Sequence, residues 1–303
     1  MKKPNITVIG SINMDLVTTA EIVPEQGETL MGTSFDTNPG GKGANQAVAS
    51  AKLGANVTFI GCVGDDPFGQ ELIMNMKNHG IQTDRIKTIT DEATGIATII
   101  LSNGDNRIIV VPGANKFVSP ELVEENEDII AESDIVLLQL EIPMVTVETA
   151  AALAKKHNTK VILNPAPIQS LSNELLESVE HLTPNEHEVK ELFEQAEHEE
   201  QKALFKQLES KFIITKGSKG VSYCHDNIVK EIDSFDVEAV DTTGAGDSFN
   251  GAIAVALSEG MELERACGFA NAVGALSVTK SGAQGGMPTR EEVERFLHSR
   301  KGV

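Results

Sequence analysis

Residues 241–251 read Asp-Thr-Thr-Gly-Ala-Gly-Asp-Ser-Phe-Asn-Gly and run straight into Ala252-Ile253-Ala254-Val255-Ala256-Leu257, a strong helix former. Ahead of them, Val237, Ala239 and Val240 stand among acidic residues and read as a β-like segment. A glycine-rich turn between a strand and a helix is the building unit of an α/β fold. The first N–H groups of a helix have no internal partner, and the helix dipole adds partial positive charge there. Glycines let a ligand approach that backbone, so the turn predicts an anion site, most naturally for phosphate. Asp247 then sets a carboxylate at the mouth of an anion hole. It would repel a resting phosphate, so an acceptor hydroxyl should lie between them, with Asp247 as the proton acceptor. The plainer alternative is an Asp that only caps the helix. A cap, however, does not require Gly244 and Gly246 immediately before it.

The rest of the chain repeats the strand–helix alternation. A short apolar strand over 6–10 leads to Ser11-Ile12-Asn13-Met14-Asp15 at its C-terminal edge, where open α/β sheets bind ligands. Strand 57–64 precedes a helix opened by Asp65-Asp66-Pro67-Phe68-Gly69 and running to about 80. The texture then changes. β-branched runs at 93–101 and 107–111 flank Ser102-Asn103-Gly104-Asp105-Asn106, a hairpin signal. With residues 15–37 this hairpin predicts a small second sheet over the ligand, whose exposed apolar face suits a dimer contact.

Alternation resumes with a helix from Ser119, strand 134–140, helix 145–157, strand 160–163 and helix 186–195. The charge-rich stretch 194–209 reads as a solvated helix face. Strand 212–215 turns through 216–220 into strand 221–224, and helices 263–279 and 291–297 close the chain, the last opened by a Thr289/Glu292 capping box. Residues 280–286 between them predict a flexible loop rich in available carbonyls. The 303 residues are ample for a sizeable core, and no repeat, low-complexity tract or linker divides them, so one domain over 1–303 is expected.

Several polar residues gather at predicted ligand edges. Asn13 and Asp15, two apart in an extended segment, point the same way and suit a polyhydroxylated ligand, though a turn-forming pair is an equal reading. Residues 38–45, Asn-Pro-Gly-Gly-Lys-Gly-Ala-Asn, precede a helix from 46 that Gly54 ends. A P-loop is excluded, because Asp36 sits where its first Gly is needed and Gly43 where its Ser or Thr is needed. The remaining reading is a glycine-rich loop pressed on a small ligand, with Lys42 and Asn45 as polar contacts. Glu141 adds a carboxylate at the end of the 134–140 strand, and Asn185 and Glu188 share the first turn of a helix. Lys216-Gly217-Ser218-Lys219-Gly220 could hold nucleotide phosphate or be an ordinary hairpin.

A net charge of −20 argues against nucleic acid or an anionic membrane as partner, and makes local lysines conspicuous. Cys62, Cys224 and Cys267 are widely spaced and odd in number, and no His pair has metal-ligand spacing. Reduced, buried thiols follow, without zinc or a disulfide framework. No apolar run is long enough for a signal or a membrane span, so a cytoplasmic protein is expected.

Taken together, Gly10-Ser11-Ile12-Asn13-Met14-Asp15, Gly40-Gly41-Lys42-Gly43-Ala44-Asn45, Asn164-Pro165-Ala166-Pro167, Thr183-Pro184-Asn185-Glu186-His187-Glu188 and Asp241-Thr242-Thr243-Gly244-Ala245-Gly246-Asp247 resemble the ribokinase-like carbohydrate kinase family over essentially the whole chain. The resemblance implies a three-layer αβα core (about 1–12, 38–92 and 112–303) with a mainly parallel central sheet. It implies a small β lid (about 13–37 and 93–111) that clasps the lid of a second subunit. It also implies phosphoryl transfer from ATP to the 5-hydroxyl of D-ribose, with Asp247 as base and Gly244, Ala245 and Gly246 as the anion hole. On the same resemblance, Asn13, Asp15, Gly41, Lys42, Asn45 and Glu141 hold the sugar. The nucleotide meets Asn185, Thr215, Lys216, Gly217, Ser218, Gly220, Gly246 and Asn271. Asn185 and Glu188 match an Asn-x-x-Glu pattern tied to Mg²⁺ and phosphate. A monovalent cation, usually potassium, sits by Asp241, Thr243, Ser277, Lys280, Gly282 and Gly286, mainly on main-chain oxygens. With no Trp and one Tyr, aliphatic walls are expected around adenine.

Alternatives within the class are kinases for deoxyribose, fructose or a nucleoside. From other classes come a silent sugar or nucleotide sensor on the same fold, and last a dinucleotide-dependent dehydrogenase, for which no Gly-x-Gly-x-x-Gly follows the first strand.

Overall fold

The computed structural model describes residues 3–103, 105–195, 209–225 and 228–300. At its centre six strands pair in parallel in the order β10-β9-β8-β1-β4-β5. These are β1 (Asn5–Ile9), β4 (Asn56–Gly64), β5 (Gln82–Ile89), β8 (Ile135–Leu138), β9 (Lys160–Leu163) and β10 (His181–Leu182). The inner strands are apolar on both faces because helices cover both. Ile6, Val8, Val57, Phe59, Ile135 and Leu137 face one layer, while Ile9, Ile60, Val136, Leu138, Val161 and Leu163 face the other. The first layer holds α1 (Lys42–Lys52), α2 (Pro67–Asn78) and the C-terminal helices α8 (Ala245–Ser258), α9 (Leu263–Ser277) and α11 (Arg290–Arg300). The second holds α3 (Pro120–Glu124), α4 (Glu127–Glu132), α5 (Met144–Lys156) and α6 (Asn173–Ser178). The three-layer αβα arrangement that the family resemblance implies is the one observed.

Two further sheets complete the molecule. Antiparallel β11 (Ile213–Thr215), β12 (Val221–His225) and β13 (Ile228–Ile232) adjoin β10 through isolated parallel bridges at Leu182/Phe212 and Asn185/Thr215. The small second sheet has the order β3-β2-β6-β7, from β2 (Asn13–Thr19), β3 (Ser34–Gly40), β6 (Gly95–Ser102) and β7 (Asp105–Val111). Its hairpin β6–β7 is antiparallel, and β2 runs parallel to β6. Phe35, Ile108, Ile109, Val110 and Val111 are exposed on it.

Several element boundaries differ from expectation, each for a local reason. Residues 237–240 form no strand: the N–H groups of Val240 and Asp241 both turn to the carbonyl of Val278. Helix α1 starts at Lys42, four residues early, so Lys42 and Asn45 lie in its first turn instead of a loop before it. The 134–140 strand is only Ile135–Leu138, because Leu140 leaves the ladder to donate to Ala166 O. The single helix expected from Ser119 breaks at Asn126, whose side chain donates to Leu122 O and so interrupts the turn. Helix 263–279 ends at Ser277, and the expected loop 280–286 closes into a helical turn, α10 (Ala283–Gly286). α7 (Glu186–Gln195) and the Thr289/Glu292 capping box follow expectation, the latter with both reciprocal bonds. Most of the charge-rich stretch 194–209 lies outside the described residues. No helix among those described is long and apolar enough to cross a membrane.

Candidate active site

The site is set by the crossing of α1 and α8. A Cβ on Gly251 would lie 2.6 Å from Ala49 Cβ and 2.8 Å from Gln46 O, so the two helices meet with no side chain between them. That contact places their first turns, Lys42–Gln46 and Ala245–Asp247, side by side at the C-terminal edge of the sheet.

Gly244 precedes α8 with φ of 74°, the left-handed region that favours glycine. Among the first N–H groups, Ala245 reaches back to Thr242 O at 3.3 Å and Ser248 to Gly244 O at 2.8 Å. Those of Gly246 and Asp247 have no acceptor among the described residues, and a Cβ on Gly246 would stand in open space. This turn is therefore an unsatisfied pair of donors at a helix N-terminus, open to an anion.

Asp247 is 7% exposed and accepts from Asn45 Nδ2 at 3.0 Å and Gln46 Nε2 at 3.1 Å. Burial raises its pKa; the Lys42 charge and the two amides pull the other way without cancelling it. For Lys42, burial favours the neutral amine, but Asp247, Glu141 and Glu188 together outweigh it and hold the ammonium above its ordinary pKa. Asp15 is pushed up to about 7 by burial and by the nearby charges of Glu141 and Asp247. Glu141 Oε2 accepts from Ser11 Oγ at 2.5 Å and from the Lys42 N–H at 3.1 Å, supplying the cap that Gly41 at the start of α1 cannot. Asn13 is buried, with Oδ1 held by Asn115 Nδ2 at 2.8 Å, which leaves its own NH₂ as the group it can offer a ligand. Gly41 packs so closely that a Cβ would lie 2.7 Å from the Asn13 nitrogen. Asn13, Asp15, Gly41, Lys42, Asn45 and Glu141 thus surround one carboxylate-rich centre beside Asp247.

From that centre a polar cleft of about 150 Å³, lined by Lys42, Asn164, Asn185, Glu188, Gly244 and Asp247 among others, continues into a larger cavity of about 410 Å³. The two share Thr215, Thr242, Ala245 and Gly246. Thr215, Gly217, Ser218, Gly220 and Asn271 line the larger one, with Phe235, Val237, Ala239, Phe249, Ala275 and Val278 as apolar wall. Val237 and Ala239 serve this wall instead of a strand. Asn271 spends its NH₂ on Ile232 O and Asp233 O. Lys216 is drawn to Glu231 at 2.6 Å and is not among the lining residues.

Asn185 and Glu188 close on each other as a helix cap. Asn185 Oδ1 accepts from the His187 and Glu188 N–H groups, and Glu188 Oε2 accepts from Asn185 N. Burial raises the Glu188 carboxyl despite the Asn185 N–H and Lys42. A hydrated divalent ion fits the second carboxylate oxygen through its own waters, since Mg²⁺ keeps several of them. Asp241 ties two loops together, accepting from Thr243 N at 2.9 Å and Gly282 N at 2.8 Å. Burial would raise its carboxyl, but those two N–H groups hold it below the usual range. A Cβ on Gly286 would run into the carbonyls of Ser277 and Lys280, so two main-chain oxygens converge there, while Lys280 Nζ pairs with Glu292. Main-chain oxygens beside an ionised carboxylate suit a hard cation that binds through oxygen. No cluster of three or more His, Cys, Asp or Glu arranged for a metal occurs among the described residues.

Gln46, Gln139, Asn115 and Gln284 were not marked by the sequence. Gln46 alone carried a signal, a long polar side chain within a helix of small apolar residues.

Residues 3–290 match the sequence model described as pfkB family carbohydrate kinase. The chain is 49% identical to the ribokinase of Bacillus subtilis over 293 residues, 97% of this chain and 99% of that one. It is 36% identical to the deoxyribokinase of Salmonella typhi over 97% of this chain and 98% of that one. The structure of the Arabidopsis thaliana ribokinase complexed with ribose and ATP superposes with a TM-score of 0.88 at 34% identity, covering 98% of this chain and 99% of that one.

Proposed function

The chain belongs to the pfkB family of carbohydrate kinases, and from that premise we propose that it transfers the γ-phosphoryl group of ATP to the 5-hydroxyl of D-ribose, with Asp247 as general base. The observation that carries this is the pairing of a buried, amide-held carboxylate at Asp247 with two acceptor-less N–H groups, its own and that of Gly246, beside Lys42. The 49% identity to a ribokinase supports ribose, and the ligands named for the Arabidopsis structure support ribose with ATP.

In this reading the sugar lies against Asn13, Asp15, Gly41, Lys42, Asn45 and Glu141, and the nucleotide fills the 410 Å³ cavity. Asp247 accepts the hydroxyl proton as the O–P bond forms. The helix N-terminus and Lys42 stabilise charge on the transferred group, and positioning does the rest. Magnesium, bound with the nucleotide near Glu188 and Asn185, would supply further charge neutralisation. A potassium ion by Asp241, Thr243, Ser277, Lys280, Gly282 and Gly286 would hold the two loops that shape the anion hole. The exposed apolar face of the second sheet is read as the contact of a homodimer.

The test is Asp247→Asn, assayed by ADP release in potassium and again in sodium at equal ionic strength. The expected result is a fall in turnover of about 10²–10⁴-fold with ribose binding nearly intact, and for the unmodified protein higher activity in potassium. Near-normal turnover in the variant removes Asp247 from the base role, and indifference to the ion swap removes the cation. The 36% identity to a deoxyribokinase favours deoxyribose as the second reading. A sugar panel separates the two, because a site that hydrogen-bonds each hydroxyl discriminates strongly against a sugar lacking one.

A further inference from the structure

Asp247 is the meeting point of two chains of side-chain amides, buried except at the half-buried Asn75. On one side Asn75 Nδ2 donates to Gln284 Oε1 at 2.7 Å, Gln284 Nε2 to Asn45 Oδ1 at 3.0 Å, and Asn45 Nδ2 to Asp247 Oδ2 at 3.0 Å. On the other, Gln139 Nε2 donates to Gln46 Oε1 at 2.7 Å and Gln46 Nε2 to Asp247 Oδ1 at 3.1 Å. Gln46 and Gln139 are fully buried and Asn45 and Gln284 nearly so.

The direction of every bond suits an ionised carboxylate. An ionised Asp only accepts, so Asn45 and Gln46 must turn their NH₂ groups toward it. Their carbonyl oxygens then face outward and must themselves be donated to, which fixes Gln284 and Gln139. Gln284 in turn must accept from Asn75. Turning any one amide over would set two acceptors against each other. Gln46 Nε2 also donates to Asn164 Oδ1 at 3.3 Å, and with the amides so ordered every dipole in both chains points its positive end at the Asp247 carboxylate.

We propose that Gln46 and Gln284 are positioning residues of the phosphoryl-transfer centre, acting through Asn45 and Asp247 to keep the carboxylate ionised and its remaining lone pairs turned toward the acceptor hydroxyl. This rests on Asp247 being the base. Gln284 also gives the α10 turn, next to the Asp241/Gly282 tie, a direct side-chain link to that base. Other charges facing Asp247 are Lys42 from α1, Asp15 from β2 and Glu141 beyond β8. None of them is altered by substituting the two glutamines.

The experiment is the pH profile of kcat for Gln46→Met, Gln284→Met and Gln284→Glu, each also placed in an Asp247→Asn background, with thermal melts to confirm folding. Each Met variant should lose about tenfold to a hundredfold in kcat. Its acidic limb should move to higher pH, because Gln46→Met removes a donor that favours the ionised base and Gln284→Met frees Asn45 to turn its donor away, and KM for ATP should stay put. Gln284→Glu should be worse than Gln284→Met above neutral pH although closer in shape, since a carboxylate there turns Asn45 over and points its oxygen at Asp247. In the Asp247→Asn background the Met changes should cost nothing further. Unchanged kcat and an unmoved acidic limb in both Met variants overturn the proposal while leaving the base in place. Equal losses with and without Asp247 also overturn it, since they assign the glutamines to packing. If Gln46→Met does not fold, the two Gln284 variants decide alone. Retained turnover in Asp247→Asn itself sinks the base, a separate failure.

Discussion

At Asp15 a carboxyl is held among others of its kind, and burial with the charges of Glu141 and Asp247 pushes it up to about 7 from 3.8. A carboxyl whose folded pKa lies above its unfolded one weakens the folded state once pH passes the unfolded value, and does so fully above the folded value. Acidification from pH 8 toward 5 therefore relieves the empty protein at this residue. Asp15→Asn should melt a few degrees higher than the unmodified protein at pH 8, with the gap shrinking at pH 5, while losing sugar affinity. An equal difference at both pH values contradicts this account of Asp15. At this scale the sequence marked the acids and the lysine as candidates by their place at predicted strand ends, although a turn-forming role was an equal reading of Asp15. It did not show Gln46, Gln139 or Gln284. A glutamine reads as surface until the fold brings its amide to a charge, and Gln284 meets Asn45 across 239 residues of sequence.

Among the described strands, β7 (Asp105–Val111) leaves the most exposed edge. It is an edge of its sheet, exposed along its whole length, with Ile108, Ile109, Val110 and Val111 in a row. Such an edge invites a partner. In sedimentation the protein should run as a dimer, and Ile109→Lys should shift it to monomer; a monomeric unmodified protein contradicts the lid as an interface. The hairpin was legible from Asn103-Gly104 and its β-branched flanks, as were most strands and helices of the core. The segment 237–240 was not, because apolar residues that wall a cavity look like apolar residues of a strand. Nor was the early start of α1: Gly41 and Gly43 argue against helix locally, and the turn is held by Glu141 from a distant strand end.

Most of the central sheet followed from alternation of apolar runs with helices, since strands covered on both faces must be apolar on both; the edge strand β5 (Gln82–Ile89), exposed and polar for much of its length, did not. What alternation could not supply was the way the cavities join. The continuity of the 410 Å³ cavity with the cleft at Asp247 depends on the α1–α8 crossing and on chain segments far apart in sequence. That continuity is also the physical basis of the proposed activity, because it lets a nucleotide and a sugar meet end to end over one helix N-terminus. The direct measurement is to incubate the protein with ATP, Mg²⁺, potassium and D-ribose and identify the product by phosphorus NMR. The account predicts one phosphate monoester on C5 of ribose for each ADP formed. ADP without a sugar phosphate, or phosphate on another carbon, would contradict it.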